Sequence, residues 1–185
     1  VALDQAFIGR VYPPTAPYEV AREKIREFAV AVGAADPVHH DVAAAVAAGH
    51  PDVIAPPTFA VILSMGATSA LTEDPELGLD YSRVVHGDQS FVHHRPIRGG
   101  DRLLTTTTVE SIVSRAGNDM ITVRADINTE DGELVTVARS MLVARGTADT
   151  PAPGSNGSAS TGNGAGDQDA TGSAGAASES EGARA

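Results

Sequence analysis

The 185-residue chain carries 24 acids against 13 bases, a formal charge of −11, and no cysteine. That is length enough for one domain with a sizeable core, and too acidic for a nucleic-acid or anionic-membrane surface. Disulfides, thiolate metal sites and a cysteine nucleophile are excluded, and no apolar run reaches the roughly 18 residues needed to cross a bilayer.

The first 17 residues are turn-rich, with Pro13, Pro14 and Pro17, and residues 8–12 are expected to add a short edge strand. The sequence opens on Val1, so the initiator methionine is expected to be absent from this numbering, and Asp4 with no basic stretch gives the expectation of no secretory leader. Tyr18, Ala21, Ile25, Phe28, Ala29 and Val32 recur at helical spacing, with charged residues mostly opposite, and Gly33 offers a C-terminal stop. Residues 33–39 then form a tight, proline-containing turn that delivers a carboxylate, Asp36, and an imidazole, His39. An acid and a base held so close suit proton transfer near neutral pH. Asp41 can cap a short helix ending near Gly49.

Residues 53–55 read as a brief extended piece, after which Pro56 and Pro57 enforce extension and then permit a helix start. From Phe59 to about Leu71 the helix is apolar on nearly every side, which predicts burial on all sides. The rest reads as strands: 81–94, with an interruption near Gly87 and Asp88; 103–113; 120–129, where Ile121, Val123, Ala125 and Ile127 alternate with polar residues; and 134–145, joined to its predecessor by an Asp131–Gly132 hairpin. Residues 147–185 contain no Val, Ile, Leu, Met or aromatic residue, and five acids against one base. They are expected to be a disordered acidic tail, because such a segment cannot bury enough apolar surface to offset chain entropy. The folded unit is then residues 1–146, whose 12 bases and 19 acids leave it at −7. Helices, a buried central helix and an antiparallel meander predict an α+β fold in which a curved sheet wraps that helix.

Alternatives stand beside the catalytic reading. Asp36 also suits plain turn capping, and His39 and His40 also suit solvated turn positions. Asp88 and Asp101 read as turn residues, and Arg95 and Arg98 as solvated strand ends or phosphate contacts. The six histidines follow no zinc-ligand spacing, so neither a metal site nor a cofactor is expected.

Three stretches carry a resemblance: residues 18–29; Ile54-Ala55-Pro56-Pro57-Thr58-Phe59; and Val84-Val85-His86-Gly87-Asp88-Gln89, continuing through Arg95-Pro96-Ile97 to Gly99-Gly100-Asp101-Arg102-Leu103. Over most of residues 5–145 the chain resembles the MaoC-like hotdog (R)-specific hydratases and 3-hydroxyacyl dehydratases. It is most similar to the branch with an N-terminal-type MaoC domain, which includes actinobacterial (3R)-hydroxyacyl-ACP dehydratase subunits. The family signature is Gly-Asp-x-Asn-Pro-x-His. Gly33, Pro37 and His39 match it, whereas Ala34 stands at the acid position and Asp36 at the asparagine. Where the family offers a backbone N–H to the thioester carbonyl, this chain has Pro57, which has none.

The resemblance implies dehydration of a (3R)-hydroxyacyl thioester, or the reverse hydration, on acyl-ACP or acyl-CoA; the lack of cysteine fits the expectation of a reducing cytoplasm. In this chain it implies His39 as base, Asp36 as its partner or acid, the Thr58 N–H as a substitute carbonyl donor next to Pro57, and an acyl chain lying near Phe59, Leu63 and Met65. It also implies pairing with a second hotdog chain that carries the intact motif, this chain then mainly holding the acyl group. A self-sufficient homodimer using His39 and Asp36, a non-catalytic thioester-binding protein and a thioesterase are the rival readings.

Overall fold

The computed structural model describes residues 3–147, so the expected tail lies outside the described residues apart from Thr147. Five antiparallel strands form one sheet: β1 (Tyr18–Glu19), β2 (Val84–His93), β3 (Arg102–Arg115), β4 (Asn118–Thr129) and β5 (Leu134–Ala144), in the order β1-β3-β4-β5-β2. Three helices accompany it: α1 (Arg22–Ala31), α2 (Val42–Ala47) and α3 (Ala60–Thr72). The sheet wraps α3, as expected.

Two sequence expectations change at the start of the chain. Residues 8–12 do follow the edge of β3, but as a single bridge from Val11 to Thr108, after a helical turn at Gln5–Phe7. Tyr18, expected in the first helix, instead pairs with Leu103 in β1. The open edge of β3 offers backbone partners there, and Val20 extends the attachment by bonding to both Gly100 and Asp101. The helix therefore begins only at Arg22, with Ile25 and Ala29 buried. It ends as the glycine predicts. Gly33 takes φ +71, its N–H reaches the Val30 carbonyl, and the Ala34 N–H reaches Ala29, a Schellman closure.

The core is divided. One apolar cluster gathers Phe59, Ala60 and Leu63 at the head of α3 with Ile25, Leu103 and Ile127. A second gathers Leu71 at its far end with Phe7, Tyr12, Val109, Ile121 and Leu142. Between them, the inward-facing row across β3, β4 and β5 is Thr107, Ala125 and Ala138, which are directly paired. All three are buried and belong to neither cluster. On α3 the buried residues between its ends are Ser64, Ala67 and Thr68. Serine and threonine are tolerated here because Thr68 Oγ1 donates to the Ser64 carbonyl at 2.8 Å and Ser64 Oγ to that of Val61 at 3.3 Å.

The central helix is not covered all round. Met65 is 51% exposed, and Gly66, Ser69 and Ala70 are exposed beside it. Met65 and Ser69 on this face line a cavity with His86 of β2, which among the described residues is an edge strand paired with β5 alone.

Candidate functional site

The head of α3 carries the acid–base turn that the sequence singles out. Asp36 caps the short turn Pro37–His39 by accepting the Val38 N–H at Oδ1, 3.1 Å away. Directly after it, His39 is buried, and its Nδ1 lies 2.7 Å from the Ile54 carbonyl. A carbonyl can only accept, so the neutral ring carries its proton on Nδ1 and Nε2 is the basic nitrogen. The segment that supplies this carbonyl is itself laced in. Ile54 N–H donates to Val38, Ala55 N–H to Ile97 and Gly99 N–H to Val53, at 2.7–3.1 Å.

These segments wall a cavity of about 470 Å³ lined by Asp36, His39, Pro57, His93, His94 and Arg95, among others. The structure thus brings Asp36, His39 and Pro57 together. Thr58 lines an adjoining cavity of about 490 Å³, which shares Pro57 and His93 with the first. As the second residue of the turn Pro57–Phe59, Thr58 carries the orphan N–H of this helix start. Phe59 and Leu63 line neither cavity. Phe59 is fully buried with its ring edge-on to Phe28 at 5.3 Å, and Leu63 packs in the same cluster. Both, expected beside the acyl chain, are enclosed here in the core cluster with Ile25, Leu103 and Ile127.

Ala34, the signature's acid position, faces a separate hollow with Gly33, Ala35 and His40. Its carbonyl accepts from the His40 ring, Nε2 lying 2.7 Å away. His40 is thereby part of the scaffold, and Arg26 Nε holds the His40 carbonyl at 2.7 Å.

Two features escape the sequence reading. The first is His93, on the inner face of β2, with Nδ1 3.0 Å from Thr136 Oγ1 and its ring stacked on Phe91. Only strand register reveals that it meets His39's cavity. The second is the ion pair beneath the cavity wall. Arg95 holds Asp101 through both terminal nitrogens at 2.8 and 3.2 Å, and Glu133 through Nε at 3.0 Å. Burial alone depresses the Arg95 pKa, but its hydrogen bonds to Asp101 and Glu133 outweigh this and hold the guanidinium charged, above its ordinary value. Asp101, expected as a turn residue, is buried and also accepts the Arg98 N–H at 3.0 Å. Arg95 is therefore a structural clamp, with its donors turned to protein acceptors. The signal in the sequence was the Arg95-Pro96 pair followed by Gly-Asp at 100–101.

No cluster of three or more His, Cys, Asp or Glu side chains poised for a metal occurs among the described residues. No helix among them is long and apolar enough to cross a membrane.

A family model described as FAS1-like, dehydratase domain region, matches residues 6–138. A UPF0336 protein of Saccharopolyspora erythraea is 66% identical over 149 residues, covering 80% of this chain and 96% of its own length. Among solved structures, the C-terminally truncated HadBC (3R-hydroxyacyl-ACP dehydratase) complex of Mycobacterium tuberculosis is similar at 32% identity and a TM-score of 0.66, over 74% of this chain and 96% of that one. A MaoC-like dehydratase is similar at 36% identity and a TM-score of 0.71, over 76% of this chain and 42% of that one.

Proposed function

The chain belongs to the FAS1-like dehydratase family, with the hotdog fold, and from that membership we propose that it is a subunit of a (3R)-hydroxyacyl thioester dehydratase, holding the acyl chain while a second hotdog chain supplies the full acid–base pair. The observation that carries this reading is the incomplete site at the head of α3. His39 is oriented for proton transfer, but residue 34 is alanine and Pro57 has no N–H to polarise a carbonyl.

The chemistry has three requirements. A base must take the Cα proton, or activate water in the reverse direction; an acid must protonate the departing hydroxyl; and a donor must stabilise the enolate oxygen. Within this chain's own cavity, His39 Nε2 is the basic nitrogen on offer for the first, and Asp36 is the one carboxylate among the lining residues for the second. Asp36 is half committed, since Oδ1 already caps the turn. The third falls to Thr58 N–H, one residue beyond the proline. The similarity to one chain of a two-subunit complex supports a second hotdog partner, and β2 supports it physically, since an exposed edge strand is a ready template for another chain. Substrates in this reading are cytoplasmic acyl-ACP or acyl-CoA thioesters, with no metal or cofactor taking part.

The test is hydration of crotonyl-CoA and of longer trans-2-enoyl-CoA esters by the purified chain, alone and co-expressed with a MaoC-type protein that carries the intact signature. The expected result is turnover only with the partner, unchanged by His39→Ala. Turnover by the chain alone that disappears in His39→Ala would overturn the division of labour in favour of a homodimer, the reading that the ordered His39 tautomer favours. Thioester binding without turnover in either arrangement would leave a binding protein instead.

A further inference from the structure

We propose that His86 is the residue that sets acyl-chain length in this groove, an inference that rests on the acyl-holding reading above. The cavity of Thr58 and Val61 adjoins that of His39, with which it shares Pro57 and His93. His86 is the one residue it shares with a third cavity, of about 280 Å³, lined by Met65, Thr68, Ser69, Tyr81 and Leu142. The first lies at the head of α3 beside Pro57, Val61 lines the second, and Met65, Thr68, Ser69 and Thr72 line the third, on a helix of 13 residues, roughly 20 Å at the usual rise. His86 stands at the neck between the second and the third.

Its position there comes from a fault in the strand. On β2, Phe91 lies opposite Ala138 and Gln89 opposite Ser140, both facing inward. Strict alternation would turn residue 87 inward and His86 outward. A register shift between His86 and Asp88 inserts one residue, so that His86 falls opposite the buried, inward-facing Leu142. Glycine at 87 permits the bulge. A Cβ there would stand 3.1 Å from both Met141 Cε and Val143 Cγ2, tighter than ordinary contact. The bulge thus exchanges a hydrogen atom for an imidazole in the groove.

The occupant is the acyl chain of the thioester whose head sits at His39. The cavities adjoin one another through shared residues, and beyond His86 the lining includes Met65, Leu142, Thr72 and Glu73. A chain that stops short of His86 is indifferent to it, and a longer one must pass it.

The experiment uses the full chain with its co-expressed partner and a series of trans-2-enoyl-CoA esters from crotonyl to hexadecenoyl. His86→Phe is expected to lower the ratio of long-chain to short-chain kcat/KM about tenfold, the contact of about two methylenes. His86→Ala is expected to move the longest accepted ester upward. Length profiles identical to wild type in both variants, with crotonyl-CoA still turned over, would overturn the inference alone. If the wild-type pair hydrates no ester, the dehydratase reading fails. The neck is then tested by the affinities of saturated acyl-CoAs of the same lengths, where the same shift in length preference is expected and its absence overturns the proposal.

Discussion

The two ends of α3 are built in different ways. At its head the polar groups are tied down by hydrogen bonds, some over short stretches of chain, Asp36 to Val38 and Arg95 to Asp101, and some over longer ones, His39 to Ile54 and Ala55 to Ile97. At its far end the groove is formed by a half-exposed Met65, an exposed Tyr81 and a histidine placed by a strand bulge, and its walls belong to elements distant in sequence. The head is a preorganised pocket with missing parts. The far end is an open channel whose shape depends on register. A family can lose an acid at residue 34 and still be recognised by its head, whereas a one-residue slip in β2 would rebuild the far end without touching any motif.

The contrast predicts unequal costs of substitution. Phe59→Ala at the head removes a fully buried ring and should cost about 3–5 kcal/mol in urea denaturation of the full chain. A cost under about 1 kcal/mol would show that the head is less rigid than its packing indicates. Asp101→Ala strips the buried clamp from Arg95 and should cost about 3 kcal/mol by the same measurement, with Glu133 left as a partial substitute.

Next comes Tyr12, which closes the second cluster and donates its hydroxyl to Asp74 at 3.0 Å. Burial, then the hydrogen bond to Asp74, pushes its pKa up from 10.0 to about 12. The folded state keeps this proton longer than the unfolded one. The contribution is therefore complete below pH 10 and is lost as pH rises through about 12. Stability measured against pH should bend downward over that window, by on the order of 2 kcal/mol, and Tyr12→Phe should flatten the bend. Met65→Ala, on the exposed face, should change stability by less than about 0.5 kcal/mol. A larger loss in the purified chain would mean that this face is already covered in solution, and sedimentation would then show an assembly.

The sequence makes the head legible because its signals are local. A helix stop at Gly33, a proline turn and a capping aspartate each act within a few residues, and the structure places each as read. The Asp131–Gly132 hairpin and the alternation of β4 are legible for the same reason, every second residue from Ile121 to Ile127 being buried. What misled is equally physical. Tyr18 fits a helical period, yet the vacant edge of β3 competes for its backbone and wins. Phe59 and Leu63 are apolar residues at a site's door, but which side of a helix faces core or cavity is set by the sheet around it. The all-round apolar character of α3 was read as complete burial, whereas in this chain one side stands open beside an edge strand. Gly87 was visible as an interruption, but its effect on His86 depends on counting residues against β5, which no single strand reveals.

The row of Thr107, Ala125 and Ala138 beneath the middle of α3 has a mechanical meaning. Large side chains grip the helix near Phe59 and again near Leu71, and short ones lie under the span between. The helix is thus pinned to the sheet at two fastenings rather than along its length, and a truncation at either one loosens that fastening while the other holds.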